Sequence, residues 1–145
     1  MKVAQAVGEA LAETGVGEVF GLVGSGNFTV ANAMVASGAR FIAARHETGA
    51  VTMADAYARV SGRFGVCTVH QGPGLTNAVT GLAEAAKSRT PLLLLAAETS
   101  ASAIHSNFRI DQSNLVASVG AISERISGPA TAVADALRAV RRAQS

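Results

Sequence analysis

Most of the side chains able to do chemistry in this 145-residue chain fall in four short tracts. They are Val23-Gly24-Ser25-Gly26-Asn27, Ala44-Arg45-His46-Glu47, His70-Gln71-Gly72-Pro73-Gly74 and Ala97-Glu98-Thr99. Each closes a run of strand-like sequence. Glu47 asks for the closest reading. It opens a helical pattern, where a carboxylate is favoured by the helix dipole and by free backbone N–H groups. The same place is the mouth of a sheet. A carboxylate kept from water there, with no cation beside it, can share a proton with a ring nitrogen of a ligand. Spacing leaves both readings open.

Other motifs fall away on inspection. Gly24-Ser25-Gly26-Asn27-Phe28-Thr29 follows a strand and precedes a helix. A dinucleotide fingerprint would place glycine where Thr29 stands, and an acidic ribose ligand about twenty residues on. The second strand ends at Arg45 instead, which leaves only a 2′-phosphate-binding variant, so a nucleotide-binding α/β domain stays as an alternative. No Walker loop follows. His46-Glu47-Thr48-Gly49-Ala50 lacks the second histidine of a zinc-protease helix. Val23 stands where a nucleophile elbow needs its first glycine. No Cys/His cluster has metal-ligand spacing, so no metal ligand is expected in this chain.

The elements that must carry these tracts alternate. Val3 to Thr14 has apolar residues at helical spacing and is followed by Gly15. Glu18 to Val23 is a short strand, Thr29 to Ala36 a helix, Arg40 to Ala44 a strand, and His46 to Ser61 a helix stopped by Gly62. Phe64 to His70 is a strongly apolar strand. Gly72-Pro73-Gly74 turns the chain into a helix running to about Ser88. Pro91 to Ala97 is the most apolar strand. Ser100 to Ser113 reads as a loop with a short turn of helix, Ala121 to Ile126 as a last strand, and Gly128-Pro129 as the opening of a helix to about Arg142. This alternation predicts a single α/β domain over residues 1–145. It would be a three-layer α/β/α arrangement around a mostly parallel, flavodoxin-like sheet of five to six strands. Ligands of such sheets lie outside the carboxyl ends of the strands, which is where the four tracts are.

Bulk properties bound the rest. Hydrophobic residues make up 49% and charged ones 15%. That low charge share implies a surface partly covered by a partner chain or another domain. A net charge of +2 gives no argument for nucleic acid. No run is long enough to span a bilayer, and Glu9, Glu13 and Glu18 interrupt any signal peptide. The lone Cys67 lies in an apolar run and suits a reducing compartment. A soluble cytoplasmic protein is expected.

Together these residues resemble the N-terminal pyrimidine-binding domain of thiamine-diphosphate (ThDP) enzymes of the acetolactate synthase type. The resemblance rests on Val19-Phe20-Gly21-Leu22-Val23-Gly24, on Arg45-His46-Glu47 with Ala50, Met53-Ala54 and Ala56-Tyr57-Ala58-Arg59, on Gly72-Pro73-Gly74-Leu75-Thr76-Asn77, and on Ser88-Arg89-Thr90-Pro91-Leu92. It covers nearly the whole chain. It implies that Glu47 hydrogen-bonds the pyrimidine ring of ThDP and activates a cofactor that serves as an electron sink for 2-oxo acids. It implies a cofactor pocket of Val23, Gly24, Glu47, Gly72, Pro73 and Asn77. Ser25, Gly26, Asn27, His70 and Gln71 would face the substrate. It also implies a homodimer that buries the helices starting at His46 and Leu75.

Three departures qualify what the resemblance implies. Val23 stands where the family often has proline. Phe108-Arg109-Ile110-Asp111-Gln112 replaces a Phe-Gln-Glu segment and is one residue shorter, which puts acetolactate synthase activity itself in doubt. Arg109 is left either to contact an anionic substrate or to sit on the surface. The family's Gly-Asp-Gly motif, which holds the diphosphate through Mg²⁺, is not found in these residues. The expectation is half an active site, completed by a diphosphate-binding domain of the same gene product or of a separate subunit, and negligible turnover alone. A non-catalytic binding or regulatory module of the same fold is the alternative.

Overall fold

Parallel strands covered on both faces need nearly unbroken apolar sequence. The computed structural model, which describes all 145 residues, gathers four such runs into one sheet. Strands β1 (Glu18–Gly21), β2 (Arg40–Ala43), β3 (Gly65–Val69) and β4 (Leu92–Ala96) lie in the order β2-β1-β3-β4, all parallel. That order matches the first four places of a flavodoxin-like sheet, whose chain direction switches between β1 and β3. Every residue of β3 is buried.

Successive strand residues point to opposite faces, and each face has its own core. Val19, Val66 and Leu93 meet α1 (Val3–Glu13), α2 (Phe28–Ala36) and α6 (Ala132–Gln144) through Val7, Leu11, Met34, Ala136 and Val140. Phe20, Cys67 and Val69 meet α3 (Glu47–Ser61) and α4 (Pro73–Lys87) through Ala50, Val51, Ala54, Leu75 and Ala78. The result is the expected three layers. The small residues of α4 allow α3 to lie close against it, and Arg59 ties the pair together by reaching both Asp55 and Glu84. No helix is long and apolar enough to cross a membrane.

The sheet has four strands, not five or six. Ala121–Ile126 runs without strand pairing. Its centre is Ser123-Glu124-Arg125, and its charges have partners elsewhere. Glu124 pairs with Arg138 and Arg142 of α6, and Arg125 with Glu98. The segment is therefore a strap held by ion pairs. Together with the β4 edge and α6 it lines a cavity of about 940 Å³. Two helix boundaries also differ. α6 starts at Ala132 rather than at Gly128-Pro129, and a helix α5 (Gln112–Ser118), begun by the Asp111 carboxylate on the Asn114 N–H, overlaps the expected loop only at Gln112 and Ser113 and otherwise occupies sequence with no expected element.

Asp135 anchors the strap to α6. It accepts hydrogen bonds from Ser127 N–H at 2.9 Å, Thr131 Oγ1 at 2.8 Å and Arg138 at 2.7 Å. These donors, the Ser127 N–H foremost, hold its carboxyl at about 2, below the ordinary 3.8. Because the folded value is the lower one, Asp135 stabilises the fold above pH 3.8 and loses that contribution as the pH falls towards 2. Asp135→Asn is expected to lower the urea midpoint near neutral pH, with the gap to the parent closing through that acid window. A gap that stays constant across the window would contradict this role.

Candidate functional site

The site lies at the carboxyl ends of β1 and β3, the switch point of the sheet. The turn after β1 is organised by a side chain beneath it. Asn27 is 1% exposed. Its Oδ1 accepts from Gly24 N–H at 2.8 Å, and its Nδ2 donates to Leu22 O and to Thr68 Oγ1, both at 3.2 Å. Asn27 thus holds the turn from below. Val23 and Ser25 project outward from it, and Gly26 backs onto Gln71 and Ala97.

The turn after β3 faces it. His70 Nδ1 lies 2.8 Å from the Gln71 carbonyl, which can only accept, so Nδ1 carries the hydrogen. In the neutral ring Nε2 is then an acceptor, and Ser25 Oγ lies 3.3 Å away from it. The ring of Phe108 packs edge-on to His70 at 4.9 Å. Gly72 takes φ +63° and ψ −114°, a conformation closed to other residues, and a Cβ there would strike the Phe108 carbonyl. Pro73 follows at the first helical position, where its missing N–H costs nothing.

Glu47 begins α3 after the N-cap residue His46, whose Nδ1 accepts from Thr48 N–H. Its side chain is turned towards α4, and the residue is 8% exposed. It takes part in no ion pair. One carboxylate oxygen, Oε2, accepts from Asn77 Nδ2 at 3.0 Å. The other, Oε1, lies beside Gly74, where a Cβ would come within 3.6 Å of it and within 3.0 Å of His70 Cβ. Beneath it, burial pushes the Cys67 thiol up to about 12, and the Glu47 charge adds to that shift. Cys67 is therefore an inert core residue.

Contacts thus link Glu47 to Asn77 and Gly74, Gly74 to His70, and His70 to Ser25 and Gly24, with Gly72 and Pro73 in the turn between. Asn27 supports the turn after β1 from beneath. Arg109 lies on the exposed loop before α5 and donates to the Ala101 carbonyl at 3.3 Å. Three contacts could not be read from the sequence, although Phe108 and Gln112 bound the segment that stands in place of Phe-Gln-Glu. Thr48 Oγ1 donates to the Asn77 carbonyl. Gln112 accepts from Gly72 N–H at 2.9 Å and donates to Ala97 O at 2.9 Å, clamping two strand ends. Phe108 walls His70. None carries a local signal, since Gln112 and Gly72 are 40 residues apart. No group of three or more His, Cys, Asp or Glu side chains is placed to hold a metal ion.

Residues 1–119 match the family described as thiamine pyrophosphate enzyme, N-terminal TPP binding domain. The chain belongs to this family. Among curated proteins it is 44% identical over 95 residues to a sulfoacetaldehyde acetyltransferase of Alcaligenes xylosoxydans, and 45% identical over 91 residues to a probable 2-ketoarginine decarboxylase of Pseudomonas aeruginosa. Each match covers 63% of this chain and 16% of the relative. The acetolactate synthase isozyme 2 large subunit of Escherichia coli is 41% identical over 101 residues, 70% of this chain and 18% of that protein. The matched stretch is thus less than a fifth of these relatives' length.

The donor set is compatible with a pyrimidine ring: the Glu47 carboxylate is nearly buried, has no cation beside it, and has Oε1 without a hydrogen-bond partner. The turn after β1 depends on Asn27. Asn27→Ala would strand the Gly24 N–H and the Leu22 carbonyl, so it is expected to cost about 1–3 kcal/mol of unfolding free energy in urea titrations. A loss below 0.5 kcal/mol would show that the turn holds itself.

Proposed function

We propose that this chain is the pyrimidine-binding half of a ThDP-dependent enzyme acting on 2-oxo acids, by decarboxylation or by acyl or aldehyde transfer. The observation that carries the reading is the Glu47 carboxylate: nearly buried, free of any cation, and with Oε1 on the Gly74 side without a hydrogen-bond partner. The diphosphate and its Mg²⁺ would be held by a second domain, in the same gene product or in a partner subunit. The relatives named above, a probable 2-ketoarginine decarboxylase, an acetyltransferase and an acetolactate synthase subunit by their names, support this range of reactions.

Each residue then has a task. Glu47 accepts and returns a proton at Oε1, next to the ring nitrogen it binds. Bound ThDP supplies an electron sink for the bond-breaking step. Gly74 leaves room for His70, and Pro73 and Gly72 set a rigid wall. His70, with its tautomer fixed by the Gln71 carbonyl, presents Nε2 to the substrate side with Ser25 as its hydroxyl partner. Such a pair can orient a carboxylate or carbonyl and relay a proton. Phe108 packs edge-on against the His70 ring and limits its movement.

Glu47→Gln keeps the shape and removes the proton acceptor. With the diphosphate-binding domain present, turnover is expected to fall by roughly 10²–10⁴, and calorimetry should show ThDP binding weakened. Unchanged turnover in Glu47→Gln would overturn the reading. The outward faces of α3 and α4 carry Gly49, Thr52, Ala56, Thr76 and Thr80, small groups that let a second copy pack closely. A homodimer burying these helices is expected by light scattering. A monomer at high concentration would exclude it.

A further inference from the structure

Asn77 belongs to the mouth by position, yet its polar groups are turned towards α3 rather than into the open space. The side-chain amide donates to Glu47 Oε2 at 3.0 Å. The backbone carbonyl accepts from Thr48 Oγ1. Asn77 thus grips the first two residues of α3 from the first turns of α4. The Asn77 bond is the one hydrogen bond made to the Glu47 carboxylate, and no Lys, Arg or His side chain shares it.

That single bond makes the two carboxylate oxygens unequal. Oε2 is occupied within the protein. Oε1 makes no hydrogen bond and lies on the Gly74 side. A carboxylate without such a partner rotates about its last bond with little hindrance, and each rotation would exchange which oxygen faces the ligand and at what angle. A hydrogen bond to an ionised group is among the stronger ones a side chain can make, and it is enough to select one orientation.

We propose that Asn77 is a positioning residue, which acts through Glu47 by occupying Oε2 and so aiming Oε1 at the bound ring, rather than a residue that contacts the cofactor itself. This rests on the reading of Glu47 given above. Its neutral amide suits the task. A lysine there would neutralise Glu47 and hold its proton-accepting oxygen in a salt bridge, and an aspartate would repel it.

The test has two arms. In the ¹⁵N-labelled chain, the Asn77 side-chain amide resonances should lie away from those of the free surface asparagines and return to them in Glu47→Ala. Resonances indifferent to Glu47→Ala would overturn the proposal. In the holoenzyme with its diphosphate-binding domain, ThDP affinity is measured by calorimetry across the cycle of parent, Asn77→Ala, Glu47→Ala and the double variant. A residue acting through Glu47 weakens binding in the parent and adds nothing once Glu47 is gone. Independent, additive losses would mean direct contact with the cofactor and would sink the idea. Turnover should fall about tenfold or more in Asn77→Ala with the 2-oxo acid KM within about twofold, and further in Asn77→Asp. If Glu47→Ala itself leaves affinity and turnover intact, the functional reading of Glu47 fails. If it abolishes them while Asn77→Ala matches the parent, only the positioning role fails.

Discussion

A line of hydrogen bonds crosses the carboxyl end of the sheet, and the site depends on it. It runs from the Gly24 N–H to Asn27, from Asn27 to Thr68 Oγ1, and from Thr68 Oγ1 to the Leu95 carbonyl. It therefore joins the turn after β1 to β3 and β3 to β4. Asn27 and Thr68 are both almost wholly buried. In such surroundings an unpaired polar group is costly, so each member holds the others in place. Gln112 repeats the device one layer further out, linking the Gly72 turn to the end of β4. Asn27 and Thr68 hold the turn because each is buried with its partners, while Gln71 Oε1 beside Gly26 is buried without one.

On the proposed reading, the chemistry comes from two helix starts brought side by side. α3 delivers Glu47 and α4 delivers Asn77, and the small residues between them let the two helices approach closely. The arrangement is economical. The residues that make close packing possible also place the carboxylate within reach of its donor. Gly74 contributes to the packing as well, since a side chain there would press on His70.

Much of this was legible in the sequence. The four apolar runs, the helix periodicity and the Gly-Pro-Gly turn announced a parallel sheet and placed the polar residues at its carboxyl ends. Glu47 was visible as a helix-start carboxylate, and the surrounding Arg-His-Glu and Gly-Pro-Gly-Leu-Thr-Asn pattern supplied what spacing alone left open. What stayed hidden was the pairing between distant segments. Asn27 looks like one more residue of a glycine-rich turn until Thr68, 41 positions on, is seen beside it. Gln112 follows a loop whose path no local rule sets. Ala121–Ile126 has enough apolar residues to suggest a strand, but its Glu124 and Arg125 answer to charges on α6 and at Glu98, and these outweigh edge pairing.

The strap built from those ion pairs has a consequence for handling the chain. Leu92–Ala96 is an uncharged edge strand without proline, the sort of segment that templates self-assembly when bared. Its neighbour across the cavity is held by ion pairs as well as by the Asp135 anchor, and the exposed pairs weaken as ions crowd in. Concentrated salt is therefore expected to loosen the strap beside this edge, and with it the chain's dispersal.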